Sequence, residues 1–268
     1  LSLLKTLNSA IATDNGLQQL SEQLKQIHQL VLQQPRQYLL VAEKQQLAEF
    51  GTVMETALAC DKNHFQEDNF IDYVPQLQTI NHCWTAATQV SFCAKAYPTV
   101  SSDHPDAAAL TLLGGILRNG YLHRAIREQG GAYGAGASQD NQSGAFRFFS
   151  YRDPRIEGTL DDFDQSIQWV LSQPLGVDKI EEAILGVIGG LDKPSSPAGE
   201  AVQTFHSELS GRTKEIRSKF RQRILGVTEA DIKRVAEQYL IPQSAQTAVI
   251  TNADLAATSP LQTVTQHA

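Results

Sequence analysis

A double glycine constrains this sequence more than any other feature, because it separates a helical pattern from an extended one. The apolar spacing and the charged stretch that ends near Arg127 predict a helix that stops at Gly130-Gly131. The residues that follow are mostly glycine and alanine, with Tyr133 standing alone among them. Glycine permits the backbone conformation that ends a helix. We therefore predict a helix–turn–strand unit that carries Arg127 and Tyr133 on one short turn.

The strands are predicted by alternation of side chains and by turn residues. Residues 84–94 alternate in a clear strand pattern. Residues 132–139 and Ala145–Tyr151 are predicted to form a hairpin, because the residues between them favour tight turns. Gln246–Thr251 is predicted as the closing strand. Strands that are grouped apart from helices predict an α+β fold, in which an antiparallel sheet is covered by helices.

Residue types that favour helix starts predict three helix boundaries. Ser102 or Asp103 is expected to cap the helix that leads to the double glycine. Thr159 is expected to cap the next helix. Thr228 and Asp231 have the spacing of a capping box, in which each side chain accepts a hydrogen bond from the other residue's backbone amide.

The amino-terminal part is predicted to belong to a different domain from the rest. It has a helix–strand–helix pattern, with the strand at 38–42. One strand and two helices cannot satisfy the hydrogen bonds at the strand edges or cover its apolar faces. We therefore interpret 1–60 as the end of a preceding domain and 61–80 as a linker. Residues 81–254 are interpreted as a complete domain and 255–268 as a loose tail.

Composition excludes several classes of function. The net charge of −7 disfavours binding to nucleic acid, which needs clustered basic surface. No apolar run approaches the roughly 20 residues of a membrane-spanning helix. Three cysteines are an odd number and do not predict a disulfide framework. No histidine pair has the spacing of a zinc-binding helix, so we expect no metal site within this sequence.

Arg127 and Tyr133 are the candidates for chemistry. A guanidinium and a phenol on one turn are hydrogen-bond donors that could hold a developing oxyanion. An arginine in the last turn of a helix is also stabilised by the helix dipole alone, and a tyrosine at the start of a strand is commonly part of the core. The residues by themselves do not decide between a catalytic role and a structural role for Arg127 and Tyr133.

Four consecutive segments resemble a known family. They are residues 105–127, the run Gly130-Gly131-Ala132-Tyr133-Gly134, the strand at 146–149, and the turn Tyr151-Arg152-Asp153-Pro154. Together they resemble the last domain of presequence-protease-type metallopeptidases, which belong to the pitrilysin/insulinase superfamily. The resemblance extends from about Asn81 to Asn252.

The resemblance implies a large zinc peptidase of four related α+β domains of the LuxS/MPP-like type. Two halves would close around an unfolded peptide substrate, with the zinc and the general base in the amino-terminal half. On that pattern Arg127 and Tyr133 would bind and polarise the scissile carbonyl. Gly131, Ala132 and Gly134 would contact the substrate.

The same resemblance implies that this segment alone does not hydrolyse peptides, because the zinc-bearing half is its expected partner. The alternative is a non-catalytic peptide-binding or scaffold subunit with the same fold. The sequence starts at Leu1, which we interpret as the start of a segment of a longer protein. We expect a bacterial cytoplasmic protein, with an organelle matrix as the alternative compartment.

Overall fold

The computed structural model describes residues 2–33, 37–58 and 80–264. The chain divides into two compact units. One comprises Leu1–Gln76 and Ser195–His206, and the other comprises Leu77–Pro194 and Ser207–Ala268. Most of the proposed linker, 61–80, and the last residues of the proposed tail lie outside the described residues. The domain boundaries drawn from the sequence therefore stay predictions.

The first unit is helical where it is described. Its helices are α1 (Ser2–Ile11), α2 (Asp14–Gln33) and α3 (Lys44–Leu58). The strand predicted at 38–42 is wrong, because 37–43 forms neither helix nor strand. Among the described residues this segment has no neighbouring strand, and Tyr38 and Val41 are exposed. A short apolar run without a strand to pair with cannot form a sheet.

The second unit is built on a six-stranded sheet. Its strands are β1 (Asn81–Thr85), β2 (Phe92–Pro98), β3 (Gly134–Asp140), β4 (Ala145–Tyr151), β5 (Gln246–Thr251) and β6 (Gln262–Val264). Their order across the sheet is β3-β4-β2-β5-β1-β6. The first four strands in that order are antiparallel, whereas β1 pairs in parallel with β5 and β6.

The α+β class is confirmed, while two local predictions of strands need correction. The strand predicted at 84–94 is two strands, β1 and β2, which lie on opposite sides of β5. The chain turns between them, where the Thr88 hydroxyl donates to the Val90 carbonyl and the Val90 amide approaches the Thr88 oxygen. The prediction of a loose tail is also wrong for the described residues, because β6 pairs with β1.

Helices cover one face of the sheet. The helices of the second unit are α4 (Ala107–Leu117), a π-helix (Arg118–Gln129), α5 (Glu157–Ser172), α6 (Val177–Leu191), α8 (Lys214–Leu225), α9 (Glu229–Tyr239) and α10 (Ala253–Thr258), whereas α7 (Pro197–Leu209) is divided between the two units. The capping box of Thr228 and Asp231 is confirmed at the start of α9.

Two other predicted caps are wrong. Helix α4 begins after Asp106, whose carboxylate accepts hydrogen bonds from Arg234 and Tyr239 instead of capping the helix. Thr159 lies inside α5, where its buried hydroxyl donates to the Asp153 carboxylate at 2.7 Å.

The core lies between the sheet and these helices. Side chains of β2 and β4 that face the helices are buried, and Tyr97 and Phe148 among them are fully buried. They pack with the apolar residues of α4, such as Leu113. On the opposite face of the sheet Phe149 and Tyr151 are 45% and 42% exposed. The second unit therefore has one covered face and one open face, and the candidate site lies beside the open face at the end of β4.

Candidate functional site

The helix that precedes the site ends as the double glycine predicts. Arg127 lies in the last turn of the π-helix. The amides of Gly131 and Ala132 donate to the carbonyls of Arg127 and Ile126 at 3.2 and 3.1 Å. Gly131 has a φ of 81°, a left-handed conformation that favours glycine. These bonds turn the chain from the helix into Tyr133 and β3.

Arg127 presents its side chain to solvent. Its Nη1 atom lies 3.4 Å from Nε2 of His123, and the other ring nitrogen of His123 lies 3.3 Å from a Glu128 carboxylate oxygen. A guanidinium can only donate, so Nε2 accepts in this contact. The spacing of His123 and Glu128 by five residues suits a π-helix, whose hydrogen bonds span five residues.

Tyr133 is also exposed, with 67% of its surface accessible. Its ring and the Tyr151 ring form a T-shaped pair at a centroid distance of 5.8 Å. The Arg152 guanidinium lies 6.0 Å from the centre of the Tyr133 ring. The interpretation of Tyr133 as a core residue is therefore wrong, and its phenol faces solvent on the same turn as Arg127.

The turn after β4 supports this arrangement. Asp153 is fully buried, and its carboxylate accepts from the Arg155 amide at 2.9 Å and from Thr159. Its backbone forms a two-bond bridge with Ser91. Arg152, directly before it, has a φ of 50°. The sequence predicted this turn, but no local pattern indicated that Arg152 would lie against Tyr133.

The three predicted substrate contacts have different environments. Gly131 is exposed, and Gly134 has no atom within 4 Å of the position where a side chain would begin. Ala132 is buried and its amide already donates to Ile126. The backbone is thus openly approachable at Gly131 and Gly134, whereas the side chain and amide of Ala132 are engaged inside the unit.

The part of the chain that the structure describes offers no ligand set for a metal ion. No group of three or more His, Cys, Asp or Glu side chains lies together there. In the same part, none of the helices is both long enough and apolar enough to cross a bilayer. Cys83 and Cys93 are free thiols buried in the core.

The family model and the similar sequences agree on one family. The family model described as the PreP C-terminal domain matches residues 82–252. A mitochondrial presequence protease of Kluyveromyces lactis is 42% identical over 153 residues, which are 57% of this chain and 15% of that protein. The chain thus matches only a small part of the length of this relative.

Solved structures of peptidases share the fold. Pitrilysin superposes with a TM-score of 0.60 at 14% identity, over 84% of this chain and 25% of that chain. A peptidase M16 inactive domain from Pseudomonas fluorescens gives a TM-score of 0.59 at 16% identity, over 77% of this chain and 51% of that chain. The resemblance seen in the sequence is confirmed: the chain belongs to the PreP C-terminal domain family of presequence-protease peptidases.

Proposed function

We propose that this chain is the carboxy-terminal part of a zinc metalloendopeptidase that degrades short or unfolded peptides. The observation that carries the proposal is the exposure of Arg127 and Tyr133 on a single turn, in a domain of a peptidase family. Neither side chain is sealed in the core. Both can therefore reach a substrate that approaches this end of the sheet.

The pair supplies donors to the reacting carbonyl. The Tyr133 hydroxyl and the Arg127 guanidinium donate hydrogen bonds to the scissile carbonyl oxygen, and they bind it more tightly as negative charge develops there. Donors that are fixed before the reaction stabilise such charge effectively in a site that excludes water. The contact of Arg127 with His123 restricts the guanidinium before the substrate arrives.

The backbone beside the pair admits an extended peptide. Gly131 and Gly134 carry no side chain that would keep a substrate strand away, and the space at Gly134 is open. We propose that the substrate backbone passes here, which brings one of its carbonyls to Tyr133. The small residues of β3 thus allow the peptide backbone to approach closely.

Zinc belongs to the other part of the proposed enzyme. By the resemblance to presequence-protease-type peptidases we assign the metal to the amino-terminal half, outside this segment; the described residues were found to hold no ligand set of their own. Bound there, zinc would supply an activated water. The amino-terminal half is accordingly the partner that completes the site, and this segment alone is expected to be inactive.

A non-catalytic scaffold or peptide-binding subunit is the second candidate. It is favoured by the similarity to the Pseudomonas fluorescens peptidase domain that is called inactive. An H-x-x-E-H helix with a later glutamate, upstream of Leu1 in the parent reading frame, would support the enzyme. Absence of that motif from the assembled protein would support the scaffold.

We infer the compartment from the same relatives. The presequence protease of Kluyveromyces lactis is a mitochondrial protein by name, which supports the organelle matrix. Bacterial cytoplasm stays a prediction from the sequence. Locating the tagged parent protein by cell fractionation decides between them.

The test of the proposal is turnover by the parent peptidase. Tyr133→Phe or Arg127→Ala should each lower kcat by about 10²–10³, the usual effect of losing one oxyanion donor. Tyr151→Phe and Arg124→Ala are the matched controls, because they alter an adjacent phenol and an exposed arginine of the same helix. Near-normal turnover in both Tyr133→Phe and Arg127→Ala would contradict the proposal.

A further inference from the structure

Arg152 has a left-handed backbone conformation, which is unusual for a residue with a side chain. Its φ of 50° is the only positive φ of a non-glycine residue in the described ranges. Residues with a Cβ disfavour this region, and those that adopt it often lie at functional sites. The buried Asp153, which follows directly, holds the turn in place through its bonds to Arg155 and Thr159.

The side chain of Arg152 lies over two aromatic rings. Its guanidinium is 5.5 Å from the centre of the Tyr151 ring and 6.0 Å from that of Tyr133. Both distances are in the range of cation–π contacts. Stacking on rings orients the planar guanidinium and leaves its N–H groups available for a further acceptor.

No carboxylate neutralises Arg152 within the described part of the chain. Several other arginines of the second unit do have a carboxylate partner within 4.0 Å: Arg147, Arg155, Arg221 and Arg234. Among the described residues, Arg127 likewise contacts a histidine and no carboxylate. The guanidinium that contacts the Tyr133 ring thus lacks a carboxylate partner among the described residues, on a chain whose net charge is −7.

We propose that Arg152, held by the rings of Tyr133 and Tyr151, is a carboxylate-binding subsite of the peptide site. The inference rests on the proposed function, because it takes the peptide to lie at Tyr133. Its ligand is an Asp or Glu side chain, or the free carboxy terminus, of a peptide residue near the polarised carbonyl. A guanidinium binds a carboxylate through two parallel hydrogen bonds, which gives direction as well as charge.

The test measures binding, so that it does not depend on turnover. Fluorescein-labelled peptides of one unstructured sequence carry Glu or Gln at each position in turn. A further pair has a free or an amidated carboxy terminus, which separates the two sources of carboxylate. Dissociation constants for this chain are measured by fluorescence anisotropy. We expect one acidic peptide to bind about two- to fivefold more tightly than its neutral partner, as one exposed ion pair allows.

Variants assign that preference to Arg152. Arg152→Gln should remove the preference and leave binding of the neutral peptide unchanged. Arg152→Gly should do the same, and glycine suits the positive φ, so it guards against misfolding of the turn. Arg147→Gln changes the net charge equally but lies elsewhere on β4, and it should keep the preference.

Three outcomes would overturn the inference. They are the absence of binding by any acidic peptide, the absence of any difference within the pairs, and a preference that survives in Arg152→Gln. Equal weakening of both members of a pair by Arg152→Gln would show that Arg152 only supports the fold of the turn. Failure of the proposed function would appear separately, as normal cleavage by the Tyr133→Phe and Arg127→Ala peptidases.

Discussion

The backbone amide of Tyr133 donates a hydrogen bond of 3.3 Å to the carbonyl oxygen of Arg152. This bond joins the turn after the π-helix to the turn after β4. It brings Arg152 against the exposed Tyr133 ring, on the turn that follows Arg127. The position of Tyr133 is therefore set by both ends of the β3–β4 hairpin.

Gly131 is required for the turn by its backbone conformation. Gly131→Ala should lower the free energy of unfolding by about 1–2 kcal/mol, since φ of 81° is unfavourable for alanine. Gly134→Ala is the matched control and should change stability by less than about 0.5 kcal/mol, because the space there is open. Urea denaturation monitored by circular dichroism measures both. Equal stability of the two variants would contradict this account.

Asp153 supports the turn that carries Arg152. Asp153→Ala leaves the buried Thr159 hydroxyl and the Arg155 amide without their acceptor. We expect a loss of about 1–3 kcal/mol in the free energy of unfolding, the usual cost of unsatisfied buried groups. Asp161→Ala, an exposed change on α5, should have little effect. A thermal melt of Asp153→Ala that matched the wild type would show that the carboxylate is dispensable.

Two adjacent glycines of α4 should respond in opposite ways. A Cβ at Gly114 would lie 3.0 Å from Cα of Ser138 and 3.1 Å from the carbonyl oxygen of Ala137, whereas at Gly115 it would meet nothing within 4 Å. Gly114→Ala should destabilise the chain by about 1–3 kcal/mol through overpacking against β3. Gly115→Ala should stabilise it by up to about 1 kcal/mol, through helix propensity. Chemical denaturation of both variants tests this difference in sign.

The Asp106 network predicts loss of stability in acid. The hydrogen bond from Arg234, at 2.6 Å, and that from Tyr239 hold the pKa of Asp106 below its ordinary value. A lowered folded pKa stabilises the protein above the unfolded pKa, near 4. That contribution is lost as the pH falls through the folded pKa. Asp106→Asn should lose about 1–3 kcal/mol at neutral pH. Its stability should also depend less on pH below about 4 than that of the wild type.

The same network predicts loss of stability in alkali. Burial, followed by the hydrogen bond to Asp106, raises the pKa of Tyr239 to about 12. A raised folded pKa gives stability that is complete below the unfolded pKa, near 10, and is lost as the pH rises towards 12. The Tyr239→Phe variant should not show this part of the loss of stability at alkaline pH. Denaturation at a series of pH values compares the two proteins, and parallel alkaline curves would refute the assignment.

The two buried thiols should be inert. Burial raises the pKa of Cys93 to about 12 and that of Cys83 above its ordinary value. Iodoacetamide at about pH 8 reacts with thiolates, so neither cysteine should be alkylated in the folded chain. The same treatment in urea is the control and should label both. Peptide mapping by mass spectrometry reads out each position, and rapid labelling of Cys93 in the folded chain would contradict the burial.

Local sequence signals predicted the features that depend on neighbouring residues. The strand Ala145–Tyr151, the end of the helix at Gly130-Gly131 and the capping box at Thr228 follow from turn and cap chemistry within a few residues. The same local reasoning brought Arg127 and Tyr133 to one turn. These features need no knowledge of distant parts of the chain.

Features that depend on distant pairing were missed. The stretch 84–94 alternates throughout, but β5 lies between its two halves, and that partner comes more than 150 positions later. β6 is a strand only because β1 offers it an edge. The contact of Arg152 with Tyr133 was missed for the same reason, since it arises from the packing of two turns.

The π-helix before the site has a consequence for how the site tolerates change. Its bonds join residues five apart, so His123 meets both Arg127 and Glu128 on one face. Removing a single residue between His123 and Arg127 would alter this register without replacing any functional group. The direction of the guanidinium is thus encoded in the number of residues in the helix, and deletion scanning would reveal it where substitution would not.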